Sequence, residues 1–161
     1  MLAEIQKNGQ GYSAHFERHI NHPVAEVWAY LTENKKLALW FNELRVEDLR
    51  EGGFMRFDLP NGISEKMKIT AYTLNSVLEY TWGVDTVRFE LSSTADGSLL
   101  VLNEQLTAIT AHTPRDLAGW HVCLDVIAIL LDGGTVVSRS EEWNKWYERY
   151  IILCASMEIL E

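Results

Sequence analysis

The side chain with the most capacity for chemistry in this 161-residue chain is one carboxylate on an otherwise apolar strand. Glu104 stands between Leu102 and Leu106, and residues two apart on a strand share a face. A carboxylate among apolar neighbours is costly unless hydrogen-bonded or paired, so Glu104 reads either as a ligand anchor or as a group near a cavity mouth. A one-residue register slip, a bulge or a strand end in solvent would place it there without any function. Tyr80 and His121 are weaker polar candidates of the same kind. General acid–base catalysis needs two titratable groups in reach of one reacting atom. Glu104, Tyr80 and Arg56 can be assembled into such a set, but nothing in their spacing requires it, and no residue is assigned a catalytic role.

The other reactive residue types carry less. There is no Gly-x-Ser-x-Gly elbow, and neither Cys123 nor Cys154 has an obvious histidine partner. Both cysteines sit in apolar segments and read as small buried hydrophobes of a reducing compartment. Gly52-Gly53 and Gly133-Gly134 lack a phosphate-loop context and read as a turn and a helix stop. His15 and His19 share a strand face with His22 close by, but they alternate with apolar residues and point to water. Two histidines without a carboxylate make a poor metal site. No metal and no cofactor is expected.

A net charge of −9, from 14 basic and 23 acidic residues, argues against nucleic acid and anionic lipid surfaces, which need clustered Lys and Arg. The only basic pair is Lys35-Lys36. Residues 1–11 carry no apolar signal region, and the run Val126–Leu131 is far too short to cross a membrane. The reading is a soluble cytoplasmic chain folded as one domain over 1–161, without membrane insertion.

These residues need elements to position them. Tyr12 to Ile20 alternates as a half-buried strand. Pro23 suits the first turn of a helix carrying Val24, Val27, Trp28 and Leu31 on one face, and a second short helix spans about 35–41. Turn signals then separate strands at about 44–50, 54–59, 65–72, 77–82, 86–94 and 99–106, with Asp96-Gly97 the strongest hairpin signal. Six short-linked strands make an antiparallel meander. One face collects Met55, Phe57, Met67, Ile69, Leu78, Tyr80, Trp82, Val87, Phe89, Leu91, Leu100, Leu102 and Glu104. A slip of one residue in any strand would exchange its faces.

Thr113 can cap, Pro114 suits the first position and Asp116 the third of a long helix running to Asp132. On its wheel only His121 and Asp125 form a polar stripe, with His121 reading as solvent-exposed, and the rest is apolar. A helix that apolar is covered on more than one side. Ser138 and Glu141 have capping-box spacing, and a tail helix over about 140–158 follows with Trp143, Trp146, Tyr147, Tyr150 and Cys154 on one face. That face has two partners open to it: the long helix of its own chain, or a second copy in a homodimer through Trp143, Trp146 and Tyr150.

Strand, two short helices, meander and long helix is the order of the helix-grip fold, and short motifs agree. His22-Pro23-Val24-Ala25-Glu26-Val27-Trp28-Ala29-Tyr30-Leu31, followed by Trp40, resembles the opening of the START-like (SRPBCC) superfamily. Glu51-Gly52-Gly53-Phe54-Met55-Arg56-Phe57 and Leu78-Glu79-Tyr80-Thr81-Trp82 resemble two of its strand signatures. Ala118-Gly119-Trp120-His121-Val122-Cys123-Leu124-Asp125 resembles the start of the grip helix in the Hsp90 ATPase activator homologue (AHSA1-like) family. The resemblance covers about residues 12–135, with the tail helix as an extension. It implies an α+β fold of the START/Bet v 1 type, a curved antiparallel sheet around a long C-terminal helix.

The same resemblance implies an apolar cavity between sheet and long helix, where Trp40, Met55, Phe57, Met67, Tyr80, Trp82, Phe89, Leu102, Glu104, Trp120 and Leu124 would converge as ligand-binding residues. The bland alternative is that these residues pack to full density with no void. The leading expectation is a non-enzymatic binder of a small hydrophobic ligand, aromatic or lipid-like. The alternatives are a chaperone-partnered interaction module of the Hsp90 type, against which stands the lack of a separate chaperone-binding region, and an aromatase- or cyclase-type enzyme. One fold serves many functions, so the site must decide.

Overall fold

The computed structural model describes residues 1–159. Twelve elements follow in chain order. Strands β1 (Glu4–Asn8) and β2 (Gly11–Ile20) precede helices α1 (Val24–Thr32) and α2 (Asn34–Trp40). Strands β3 (Leu44–Asp48), β4 (Phe54–Asp58), β5 (Ser64–Thr73), β6 (Val77–Trp82), β7 (Asp85–Thr94) and β8 (Gly97–Leu106) form the meander. The long helix α3 (Thr113–Leu131) and the tail helix α4 (Arg139–Ile159) close the chain. The strands form one antiparallel sheet in the order β1-β2-β8-β7-β6-β5-β4-β3. Irregular register between Val46 and Asp48, and between Ile69 and Ala71, bends it. The architecture is the α+β helix-grip fold, a curved sheet held around α3.

Strand parity sends one set of side chains inward. Met55, Ile69, Leu78, Tyr80, Val87, Phe89, Leu100 and Leu102 are each at most 1% exposed. Opposite them Leu117, Ala118, Leu124 and Ile127 of α3 are equally buried. Each large apolar side chain fully buried this way contributes about 1.5–3 kcal/mol. The α1–α2 segment is pinned by the Trp40 indole, which donates to the Tyr30 carbonyl at 2.7 Å, and by Asn34, which exchanges two bonds with the Val46 backbone.

Four details depart from the sequence pattern. β1 was not expected, because Ile5 is its one apolar residue; it is held by backbone pairing with β2 while Ala3 and Ile5 reach the core. The β7–β8 hairpin turns on Ala95-Asp96, with Gly97 opposite Thr94 rather than inside the turn. Gly97 is required because a Cβ there would collide with the Ile20 carbonyl. Thr113 does not cap α3: it lies inside the helix, and its hydroxyl accepts the Thr110 N–H at 2.9 Å.

The fourth departure is the largest. His121 is 1% exposed, not solvent-facing, because α4 lies along the polar stripe of α3. The imidazole stacks on Trp146 with ring centres 3.8 Å apart, and its Nδ1 meets the Tyr150 hydroxyl at 2.8 Å. The same hydroxyl accepts the Ala3 N–H at 2.9 Å, tying the N-terminus to the tail. Of the residues expected at a homodimer face, Trp146 and Tyr150 are buried against α3 of their own chain, as is Cys154, while Trp143 is only partly buried. Ser138 caps the start of α4, accepting the Glu141 N–H at 3.4 Å.

Candidate functional site

The aromatic residues of β4, β6 and α3 meet at one end of the sheet. Trp82 closes β6 beside the Gly83 turn, where φ is +64°. Its ring lies 5.0 Å from Trp120, 5.8 Å from Phe41 and 5.9 Å from Phe57. Trp120 also meets Phe89 at 5.8 Å. Tilted and edge-on pairs at these distances are the favoured aromatic geometries. They also fill the space where a single cavity was expected.

The opening is instead divided in two by Trp82 and Asp116, which face both parts. The Trp82 indole donates to the Asp116 carboxylate at 3.0 Å, so the partition is a bonded pair. The first pocket, about 470 Å³, lies between the β6–β7 turn, the end of β8 and the start of α3. Phe57, Met67, Val84 and Leu106 give it apolar walls, and Glu65, Asp85 and Asp116 give it acids. The second, about 480 Å³, lies between the α2–β3 turn, the first half of α3 and the first turn of α4.

The sequence-derived site residues divide accordingly. Phe57, Met67 and Trp82 line the first pocket; Trp40, Trp82 and Trp120 line the second. Met55, Tyr80, Phe89, Leu102, Leu124 and Glu104 lie beneath, each at most 1% exposed. The set Glu104, Tyr80 and Arg56 is not assembled. Arg56 is paired with Glu47 at 3.0 Å, and burial pushes the Tyr80 phenol far above its ordinary value.

Glu104 itself is fully buried. It sits in regular register opposite Ala14 on β2 and Val87 on β7, so neither a slip nor a bulge accounts for it. Neither carboxyl oxygen makes a well-formed hydrogen bond, nor does the buried Trp120 indole N–H, although Asp116 and the Trp120 indole both lie near enough to act on the carboxyl. Burial holds the Glu104 carboxyl well above the usual carboxylate range; the Asp116 and Asp85 carboxylates push it further, and the Trp120 indole opposes them weakly. Burial thus disfavours the charged form of this carboxyl. Its companion Asp116 borders both pockets and accepts from Trp82. The sequence marked Glu104 by strand parity but missed Asp116, which was assigned to the helix start.

Three further groups were missed. His112, at the start of α3, borders both pockets, and Arg115 of α3 and Arg139, in the first turn of α4, border the second. Their positions depend on tertiary packing and leave no local signal. Cys123 also faces the second pocket; burial pushes its thiol up to about 12, which excludes a thiolate nucleophile near neutral pH. Among the described residues no group of three His, Cys, Asp or Glu is placed to hold a metal ion, and no helix is long and apolar enough to cross a membrane.

Comparison with known proteins agrees with this geometry. Residues 21–132 match the sequence profile of the family described as Activator of Hsp90 ATPase homolog 1-like protein. No curated protein matches the chain. Among solved structures, a conserved protein of unknown function, EF2215 from Enterococcus faecalis, is similar with a TM-score of 0.80 and 29% identity, over 94% of this chain and 91% of that one. CalU16 from Micromonospora echinospora gives 0.71 and 21%, over 94% and 95%. The protein encoded by gene BPP1335 of Bordetella parapertussis gives 0.70 and 24%, over 90% and 86%. The last two likenesses show the fold alone.

Proposed function

We propose, since the chain belongs to the Activator of Hsp90 ATPase homolog 1-like family within the START-like superfamily, that it is a single domain binding a small hydrophobic molecule without transforming it. The observation that carries this reading is the first pocket: about 470 Å³ with an apolar wall of Phe57, Met67, Trp82, Val84 and Leu106. Pockets of about 300–1,000 Å³ with mostly apolar walls and few polar groups are the usual small-molecule sites. Burial of ligand area at about 25 cal/mol per Å² would drive binding, less the entropy of association.

Native mass spectrometry of protein from its own cells, with ligand-observed NMR against a hydrophobic library, tests this. A retained molecule, or broadening by one chemical class that Ala108→Trp abolishes, supports it. Ala108 is an exposed loop residue on the pocket wall, so the bulk falls in the pocket and not the core. A clean mass with no binder would move the weight to a chaperone partner, the reading that the family's description favours, and crosslinking to chaperones would follow.

A second reading, an enzyme of the cyclase or aromatase type, is favoured by one specific observation. Burial raises the pKa of Glu104, which lies beside Asp116, and Asp116 faces both pockets; carboxyl pairs set apart in this way can pass protons. Glu104→Leu separates the readings. Intact binding marks Glu104 as a tolerated buried group. A tenfold or greater fall in affinity, about 1.4 kcal/mol, marks it as a ligand anchor, and a matching fall in turnover marks it as an acid.

A further inference from the structure

The second pocket differs from the first in carrying guanidinium groups, where the first has acids and no Arg or Lys. Arg115 of α3 and Arg139 of α4 both border it, as does His112. Among the described residues neither arginine has a carboxylate partner. Arg115 lies over the Tyr147 ring at 5.3 Å, and Tyr147 in turn stacks on Trp143 with centres 4.7 Å apart. Arg139 donates to the Cys123 sulfur at 3.2 Å, and that thiol is neutral, so the contact leaves the guanidinium charge unopposed. Two carboxylates share the pocket and balance its formal charge: Asp116, which accepts from the Trp82 indole, and Glu43, but neither is paired with an arginine.

The walls are flat rings: Trp40, Phe41, Trp82, Trp120 and Trp143. The buried Trp120 indole N–H lies near the Glu104 carboxyl, so the two guanidiniums are the pocket's charged donors. Arginine matches the planar fork of a carboxylate and also stacks on rings.

We propose that this pocket is a second binding site, for a planar aromatic molecule bearing one anionic group. The rings hold the aromatic body, and Arg115 and Arg139 take the anion. The first turn of α4 then has a function: it delivers Arg139 and Trp143 to a site whose remaining parts lie on α2, the turn after it, the end of β6 and the start of α3. This goes beyond the apolar binding proposed above and stands or falls separately.

The probes are 2-naphthoate and its uncharged isostere 2-naphthamide, read by tryptophan fluorescence and ligand-observed NMR. Naphthoate should bind about tenfold more tightly than naphthamide, the scale of a charge-assisted bond. Raising the salt concentration should weaken naphthoate and leave naphthamide unchanged. Arg115→Gln and Arg139→Gln should each reduce the preference and together abolish it, while the lysine variants keep part of it. Neither substitution breaks an ion pair among the described residues, but each loses one contact, with the Tyr147 ring or the Cys123 sulfur, so unfolding midpoints are measured alongside and should move only slightly. Ala108→Trp, which narrows only the first pocket, should leave naphthoate binding intact. Equal affinities, no binding by either probe, a preference that survives the double substitution, or loss of naphthoate in Ala108→Trp would each overturn the proposal.

Discussion

Helix α3 carries two buried polar clusters, one near its start and one at its middle, and they are built in opposite ways. At the middle, His121 is bonded to Tyr150, lies 3.4 Å from Asp125, and stacks on Trp146; Arg18 bonds Asp125 at 2.9 Å. Orphan atoms here are single N–H groups, Arg18 Nη2 and Trp146 Nε1, on side chains that keep other contacts. Near the start, the Glu104 carboxyl makes no well-formed hydrogen bond, and it lies beside Trp120 and Asp116, which faces two pockets. A partnered buried network specifies how elements dock; an unpartnered one is a local cost, retained most economically where it meets a ligand. The middle cluster is therefore read as structural and the first as the functional end.

The sharpest way to break this contrast is at Tyr150. Tyr150→Ala should destabilise the protein by about 3–5 kcal/mol, the range for deleting a buried aromatic ring, measured by urea unfolding. Trp146→Glu should likewise lose stability with no change in molar mass by light scattering. A fall in mass instead would return the α4 face to an interface between copies, and the structural reading of the middle cluster would fail.

Glu104→Leu should move the other way, raising stability by about 1–3 kcal/mol at neutral pH, because the cost of an unsatisfied buried group disappears. The pH dependence sharpens this. A raised folded-state pKa means that the contribution of Glu104 is fully favourable below the unfolded carboxyl value and is lost as pH rises through the folded one. The advantage of Glu104→Leu over wild type should thus shrink toward pH 4 and grow on the alkaline side. An advantage independent of pH would show that the carboxyl is not desolvated in solution.

His121 predicts a smaller effect with the opposite sign. Burial lowers its pKa, against the pull of Asp125, so its contribution is present above the unfolded value near 6.5 and is lost as pH falls. Wild type should lose stability on acidification below about pH 6 relative to His121→Gln, which has no proton to take up. Reading the difference matters, since His15 and His22 sit beside carboxylates that raise their pKa values and work in the reverse direction. Parallel curves for the two proteins would remove His121 from the structural account.

The same contrast explains what was legible in the sequence. Alternation placed Glu104 on the inner face correctly, because parity is a local property and β8 has no bulge. Its companion could not be read: Asp116 suits a helix start for purely local reasons, and its bond to Trp82 exists only once β6 and α3 meet. His121 was misplaced for a related reason. A helical wheel shows a polar stripe but not that α4 will cover it with Trp146 and Tyr150. The grip fold was legible because hairpin turns and the apolar face of α3 are repeated over many residues. β1 was not, since backbone bonds to β2 hold it and leave no apolar pattern. The candidate ligand residues were found as core positions; which of them border open space depends on how Trp82, Trp120 and Phe41 pack.

The smallest predicted effect divides α4 itself between the two roles. Its later turns, from Trp146 to Cys154, are buried against the chain, whereas its first turn is exposed and carries Arg139 and Trp143 to the second pocket. Ser138 is the cap of that first turn, and its bond to the Glu141 N–H is long at 3.4 Å. Ser138→Ala should therefore cost only about 0.5 kcal/mol of global stability, the low end for a lost cap. Fraying would fall on the first turn, because helix ends open before the packed interior. If the first turn belongs to the pocket and the rest of α4 to the fold, Ser138→Ala should weaken 2-naphthoate binding by more than its small stability loss accounts for, with hydrogen exchange rising at 139–143 and unchanged at 146–154. Uniform exchange along all of α4 would mean that the helix docks as one unit, and the boundary between its two roles would have to be drawn elsewhere.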